Sequence, residues 1–369
     1  MLINTVKAGR VSHAQLFLGQ EGTHAFGLAV AYAQYIACKN RTETDACGKC
    51  PSCLKFNHLA HPDLHFFFPH LASDKNSSAD FIRVFQKLAN DTHCLFSEKQ
   101  LVEALQLGNK EAIINMQDAE LFLSKLSLKP YESDYKFVIM YLPEKMNNPT
   151  SNKILKTLEE PDGKTLIILV SENYDNILPT ILSRTQLFKI NKLPLAQFAE
   201  AISRLKGCSI EIGEDLAVLT DRNLQEAMAA DNDMSKETLF EQAKTMMQSA
   251  YKLSHWRPHQ LNFQEIADFI KTMANIGRES QKIFFRYVLS VVRKSVFLTF
   301  NANQLVHATA KEREWMNNFS PFINERNAFQ IEKVINDAII DISKNAEPNI
   351  LFTDTILKLG KLIRVGDKR

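Results

Sequence analysis

Five short apolar runs alternate with stretches of helical character, and no such run follows Ile190. The runs are Gln15–Leu18, Leu64–Phe68, Phe137–Leu142, Thr165–Val170 and Gln186–Ile190. They are β-branched or aromatic and mostly apolar at successive positions, which fits strands buried on both faces of a parallel sheet. Between them lie the helix candidates Ala25–Cys38, Met116–Leu126 and Ser151–Glu159. An α/β layered domain is the expected outcome. Residues 70 to about 112 read as an insertion. It holds a polar loop, Ser73-Asp74-Lys75-Asn76-Ser77-Ser78, and helices on either side of Asp91-Thr92.

Beyond Ile190 the pattern is helical. Pro194 starts one stretch, Leu216–Ala230 forms another, and from about residue 236 only helices are expected. Ile266, Phe269, Ile270 and Met273 share a face, as do Phe284, Tyr287, Val288, Val291 and Val292. Ile331, Val334, Ile335, Ala338, Ile339 and Ile342 repeat the pattern, and all three stripes read as helix–helix core. The length of 369 residues suggests two or three domains, and 45% hydrophobic residues supply real cores. A net charge of +2 neither demands nor excludes nucleic acid, but argues against a strongly electrostatic DNA clamp. The first residues lack a signal-peptide core, and the longest apolar runs are too short to span a bilayer. A soluble cytoplasmic protein without membrane contact is expected.

In a reducing compartment clustered cysteines point to metal rather than disulfides. Cys38, Cys47, Cys50 and Cys53 form C-x8-C-x2-C-x2-C. A CxxC turn brings two thiolates to one side, and four of them can close a tetrahedral shell around structural zinc. Free cysteines or a redox pair are the alternatives, and His58 or His61 could replace one ligand. Cys94 and Cys208 stand alone and read as small buried residues.

The first strand runs through Gly19-Gln20-Glu21-Gly22-Thr23-His24-Ala25-Phe26 into a helix, the setting of a phosphate loop. A working loop places there a second glycine, a lysine for the terminal phosphates and a hydroxyl for magnesium. Those places hold His24, Ala25 and Phe26. The acidic pair that should end the third strand is replaced by Tyr141 and Leu142, with Glu144 reading as a helix-start residue. Taken alone, two glycines between a strand and a helix also suit an ordinary turn. Leu178–Thr185 carries a Ser183-Arg184 pair between the fourth and fifth strands, which by itself suits a surface or helix-capping arginine.

Several segments together resemble the bacterial clamp-loader subunits of the AAA+ family. They are Arg10–Gly19, the cysteine cluster with His61-Pro62-Asp63, Leu126–Tyr131, Asn152–Pro161, Thr165–Leu169 with Asn173, Leu178–Arg184 and Asn345–Asn349. The similarity covers nearly the whole chain except roughly residues 70–112. Within the family the lost catalytic residues point to the delta-prime branch of DNA polymerase III. The resemblance implies a RecA-like AAA+ core over 1–190 carrying a zinc module at about 38–64, a helical lid over 191–235 and a helical collar over 236–369. It implies a ring with delta and ATP-hydrolysing gamma/tau subunits, which loads a sliding clamp onto primed DNA. Arg184 matches the arginine of the family's Ser-Arg-Cys motif, which acts in trans on a neighbour's ATP; here Thr185 replaces the cysteine. The family often keeps a lysine where this chain has Ala25, so binding of ATP or ADP in cis is in doubt on this reading.

Lys156 and Glu159 suit either a partner or DNA contact, or a solvated i,i+3 pair. Arg278, Lys282, Arg286, Arg293 and Lys294 read as solvated surface. Two other functions remain open from sequence: an ATP-hydrolysing gamma/tau-like subunit, opposed by Ala25, Tyr141 and Leu142, and a zinc-bearing nucleic-acid-binding module, opposed by the modest charge.

Overall fold

The computed structural model describes residues 2–72, 76–108, 110–231, 235–255, 263–300, 302, 308 and 310–367. The expected fold class, a parallel α/β unit with a helical remainder, is borne out. Strands β1 (Ala14–Gly19), β2 (Leu64–Phe67), β3 (Lys136–Tyr141), β4 (Thr165–Ser171) and β5 (Gln186–Ile190) pair in parallel in the order β2-β3-β4-β1-β5. Leu16 of β1 lies opposite Leu169 of β4 and Leu187 of β5. β3 and β4 are buried at every position, as near-continuous apolar runs require of central strands. β5 is an edge and exposes Gln186, Leu187 and Lys189.

Alternation along the strands divides the core. Phe137, Ile139 and Tyr141 of β3 join Leu166, Ile168 and Val170 of β4 on one face, against the helix Ala25–Ala37. Val138, Met140, Ile167 and Leu169 face the helices Met116–Ser127 and Asn148–Glu159. Each fully buried side chain of this size contributes about 1.5–3 kcal/mol relative to exposure.

The insertion packs on the face that carries Ala25–Ala37. An antiparallel ladder of His70–Leu71 with Ala112–Ile113 joins its ends. The helices Ile82–Asp91 and Glu98–Ala104 flank Asp91-Thr92 as expected. Ser73, Asp74 and Lys75 of the polar loop lie outside the described residues. Buried His70 and Asp118 meet at 2.8 Å, and Asp118 also accepts the Ser78 N–H at 2.7 Å, which ties the insertion to the helix Met116–Ser127.

The chain divides into two compact units. One runs to Leu193 and includes Asn223–Gln225; the other comprises Pro194–Arg222 and Glu226 onward. The second is helical. Phe284, Tyr287, Val288, Val291 and Val292 are all buried, as are Ile331, Ile335, Ala338 and Ile342. The helical stretch expected over Leu216–Ala230 is broken. Ile210–Leu219 ends, Asp221 and Arg222 take left-handed φ of 48° and 58°, and a new helix starts at Leu224. No glycine or proline marks that break in the sequence. Arg278 and Arg293 are solvated as expected, but the rest of the basic stripe is less so. Lys282 is only 14% exposed between Glu279 and Glu226, Arg286 pairs with Glu226, and burial holds Lys294 below its usual range. Cys94 and Cys208 are half-buried rather than buried. Among the described residues no helix is long and apolar enough to cross a membrane.

Candidate functional site

The loop Gly19–Phe26 leaves β1 at the carboxyl edge of the sheet and enters the helix Ala25–Ala37. Gly22 has φ +82°, and a Cβ there would meet the Asn223 side chain at 2.1 Å. Glycine is therefore required twice over, by backbone conformation and by space. The chain's own residues occupy the surroundings of this turn. Leu224 N–H donates to the Gly22 carbonyl at 2.8 Å. Gln225 Nε2 donates to the Phe96 carbonyl at 2.7 Å. His24 is desolvated, which lowers its basicity, and its Nδ1 has no partner among the described residues.

On the sequence reading of a phosphate loop, Phe26 takes the place of its magnesium-holding hydroxyl and Tyr141 that of the carboxylate ending the third strand. The two rings pack edge-on at 5.6 Å. The insertion completes the cluster. Phe85 lies 5.6 Å and Phe96 5.2 Å from Phe26, and Phe96 lies 5.1 Å from Tyr141. Edge-on rings at such distances add to the stabilisation from burial alone. The Tyr141 hydroxyl reaches the Phe96 carbonyl at 3.3 Å and Glu172 at 3.2 Å, and complete burial keeps it a neutral phenol.

Charges of both signs stand near the loop: Glu172, Asp175, Lys189 and Lys192 line a hollow of about 450 Å³ with Gln20 and Thr23. Glu21, Glu98 and Glu172 line another of about 360 Å³ with Lys99. Burial, then the charge of Glu21, pushes Glu172 up to about 7. Glu144 lies in the first turn of the short 3-10 helix Pro143–Lys145, as expected; burial raises its pKa, and it accepts the backbone N–H groups of Glu172 and Asn173. Glu98 pairs with Lys145 at 2.6 Å.

The four cysteines converge. Their sulfurs lie within 4.8 Å of one another, an arrangement that could hold a metal ion. Sulfurs bound to one zinc at about 2.3 Å are about 3.8 Å apart in a tetrahedron. Cys47 and Cys53 Sγ are 3.9 Å apart. Backbone N–H groups of Cys47, Cys50 and Cys53 point at the sulfurs of Cys38, Cys47 and Cys50, at 3.3, 3.4 and 3.5 Å. Such bonds favour thiolate. Backbone N–H groups of Lys49 and Cys50 hold Cys47 down at about 6, whereas burial pushes Cys53 up to about 12. Four thiols this close cannot all ionise unless a cation neutralises them. The donor set therefore fits a soft divalent metal. His61, the alternative ligand, lies outside this group: its Nδ1 accepts the Asp63 N–H, and its ring sits tilted 4.7 Å from Phe56.

Arg184 follows the short helix Pro179–Leu182 and is 29% exposed. Its Nη1 donates to the Thr180 carbonyl at 2.9 Å and contacts Ser183 Oγ at 3.2 Å. Its Nη2 lies 2.5 Å from Glu159 Oε1. Glu159 thus pairs with an arginine 25 residues on, rather than with Lys156 on its own helix.

Residues 1–194 match the model of a family described as DNA polymerase III, delta subunit. The chain belongs to this family. The resemblance to clamp-loader subunits of the delta-prime kind is borne out. The DNA polymerase III subunit delta' of Bacillus subtilis is 25% identical over 79% of this chain and 76% of that protein. The same-named subunit of Pseudomonas aeruginosa is 28% identical over 48% of this chain and 43% of its own length, so the match spans under half of that relative. The gamma/tau subunit of Mycobacterium tuberculosis is 23% identical over 54% of this chain and 28% of that protein.

Family membership does not foretell what surrounds the loop here. Phe85 and Phe96 come from the segment that the motif resemblance leaves out, and Asn223 and Gln225 from a bend that the helical pattern hides. Their only sequence signal is the aromatic richness of residues 66–96.

Proposed function

We propose that this chain is a non-hydrolysing, delta-prime-like subunit of the DNA polymerase III clamp loader. On this reading it stands with delta and gamma/tau subunits in the cytoplasm, in an assembly that places a sliding clamp on primed DNA. Residues 1–190 are its AAA+ core, 191–235 its lid and 236–369 its collar. The observation that carries the reading is the contact of Phe26 with Tyr141, Phe85 and Phe96. An ATP site needs a hydroxyl, a carboxylate and a magnesium ion there; this chain has packed hydrocarbon. Neither ATP nor ADP is expected to bind in cis. Cys38, Cys47, Cys50 and Cys53 hold a structural zinc, because four thiolates leave no open coordination position. Zinc supplies cross-linking of the cysteine segment and no chemistry.

Arg184 is the residue retained for catalysis. A permanent planar cation at the edge of the core suits stabilisation of charge on the terminal phosphate of a neighbour's ATP. Reconstitution with delta and gamma/tau subunits tests both halves. Arg184→Ala should fold normally and lower the assembly's ATPase by up to about 10³-fold. The isolated chain should neither bind labelled ATP nor turn it over. Turnover by the chain alone, abolished by a substitution within Gly19–Phe26, would instead establish the ATP-hydrolysing gamma/tau-like reading.

A further inference from the structure

The guanidinium of Arg184 is already engaged by its own chain. Glu159 is the last residue of the helix Asn148–Glu159, and Thr180 offers a carbonyl from the one-turn helix Pro179–Leu182. A carboxylate at a helix carboxyl end and a backbone carbonyl therefore gather around one cation. Arg184 Nε is buried and without a partner among the described residues, so the side chain is held from its outer nitrogens alone. The Glu159 carboxylate contacts the same outer edge that a phosphate would need. The pair is nevertheless exchangeable: the Glu159 side chain is 47% exposed, and a surface ion pair of this kind changes an equilibrium constant by only about two- to five-fold.

We propose that Glu159 is a positioning residue that parks Arg184 on its own chain until a neighbouring subunit presents a triphosphate. This rests on the reading of Arg184 as a cation acting in trans. Before assembly Glu159 keeps the side chain in one place and offsets its charge. On assembly Nη2 leaves the carboxylate for the more highly charged terminal phosphate, which accepts charge-assisted bonds from the same fork. Lys156, one turn back on the helix, is not the residue Glu159 serves.

The test uses the reconstituted assembly with E159Q, R184A and the double variant. Its readouts are the half-saturating concentration of this chain and the ATPase rate at saturation, both as a function of salt. E159Q keeps the shape and removes the charge. It should lower the half-saturating concentration about two- to five-fold, most clearly at low salt, with no fall in the saturated rate. In the R184A background the same substitution should change nothing. If R184A lowers the rate while E159Q leaves the half-saturating concentration unchanged, parking is wrong and the trans role stands. A fall in the saturated rate with E159Q would mean that Glu159 orients Arg184 for catalysis rather than restraining it. An R184A assembly with undiminished ATPase would remove the trans role, and the parking proposal with it.

Discussion

Two places in the first unit gather anionic groups within a short distance, and they have opposite fates. At the cysteine segment four sulfurs point at one another within 4.8 Å, with backbone N–H groups supporting thiolate. At the loop Gly19–Phe26 the carboxylates of Glu21, Glu98 and Glu172 stand around a hollow, while the space between β3 and the loop helix is filled by Phe26, Tyr141, Phe85 and Phe96. The first arrangement converges on a point where a cation can sit. The second keeps its charges apart and closes its centre with rings. A ligand site survives when its donors share a focus; composition alone does not decide it. Glu172 spends its hydrogen bonding on Tyr141, Glu144 on backbone N–H groups, and Glu98 on Lys145.

Removing the metal should have the largest effect. Structural zinc contributes of the order of 10 kcal/mol to the folding of small zinc modules. The short helix Pro51–Asn57 and the turns before it have little apolar core of their own beyond Cys53 and Phe56. Cys47→Ala should abolish close to one zinc per chain and lower stability by several kcal/mol, with proteolysis beginning in the cysteine segment. Metal analysis with limited digestion reads both. Full zinc loss without a change in digestion would make the two regions alike, each tolerating the loss of its ligand.

Truncating the ring cluster comes next. Phe26→Ala should cost about 3–5 kcal/mol, the usual range for a buried phenylalanine that leaves a cavity between rigid neighbours. Urea denaturation measures it, and equilibrium dialysis against MgATP supplies the contrast. The variant should remain unable to bind nucleotide, because Ala25 and Tyr141 persist. Stabilisation of Phe26→Ala by MgATP would show that one ring alone was closing the site.

Much of this contrast was legible in the sequence and part was not. The inner strands could be read because each is an apolar run buried on two faces, the edge strand Gln186–Ile190 because it is a short run with Leu187, Phe188 and Ile190, and the cysteines because close spacing is a local property. The loop could be located by Gly19 and Gly22 and its missing groups named. What fills it could not. Phe85 and Phe96 reach Phe26 from about 60 and 70 residues away, and such contacts leave no periodic trace. The pairing of Glu159 with Arg184 is hidden for the same reason, since the i,i+3 rule favours Lys156. The break at Asp221 and Arg222 escaped because both residues take left-handed φ without glycine. Local chemistry was readable; the tertiary partners that decide whether a site is open or shut were not.

The smallest effect concerns the carboxylates left beside the closed loop. Glu172 ordinarily titrates at 4.5, and burial with the charge of Glu21 lifts it to about 7. Its folded value lies above its unfolded value. Between pH 4.5 and 7 the folded chain therefore holds a proton that the unfolded chain has released, and stability falls as pH rises through that window. Below it both states are protonated and the difference vanishes; above pH 7 the penalty is complete. Glu172→Gln keeps an acceptor for the Tyr141 hydroxyl and removes the charge. It should stabilise the chain by about 1–3 kcal/mol at pH 8, discounted for the water that still reaches the group, and by almost nothing near pH 4.5. Denaturation at the two pH values gives the sign directly. An equal gain at both would mean that the carboxylate is not held at a cost, and the loop's surroundings would then be as well matched to their charges as the cysteine cluster is to a metal.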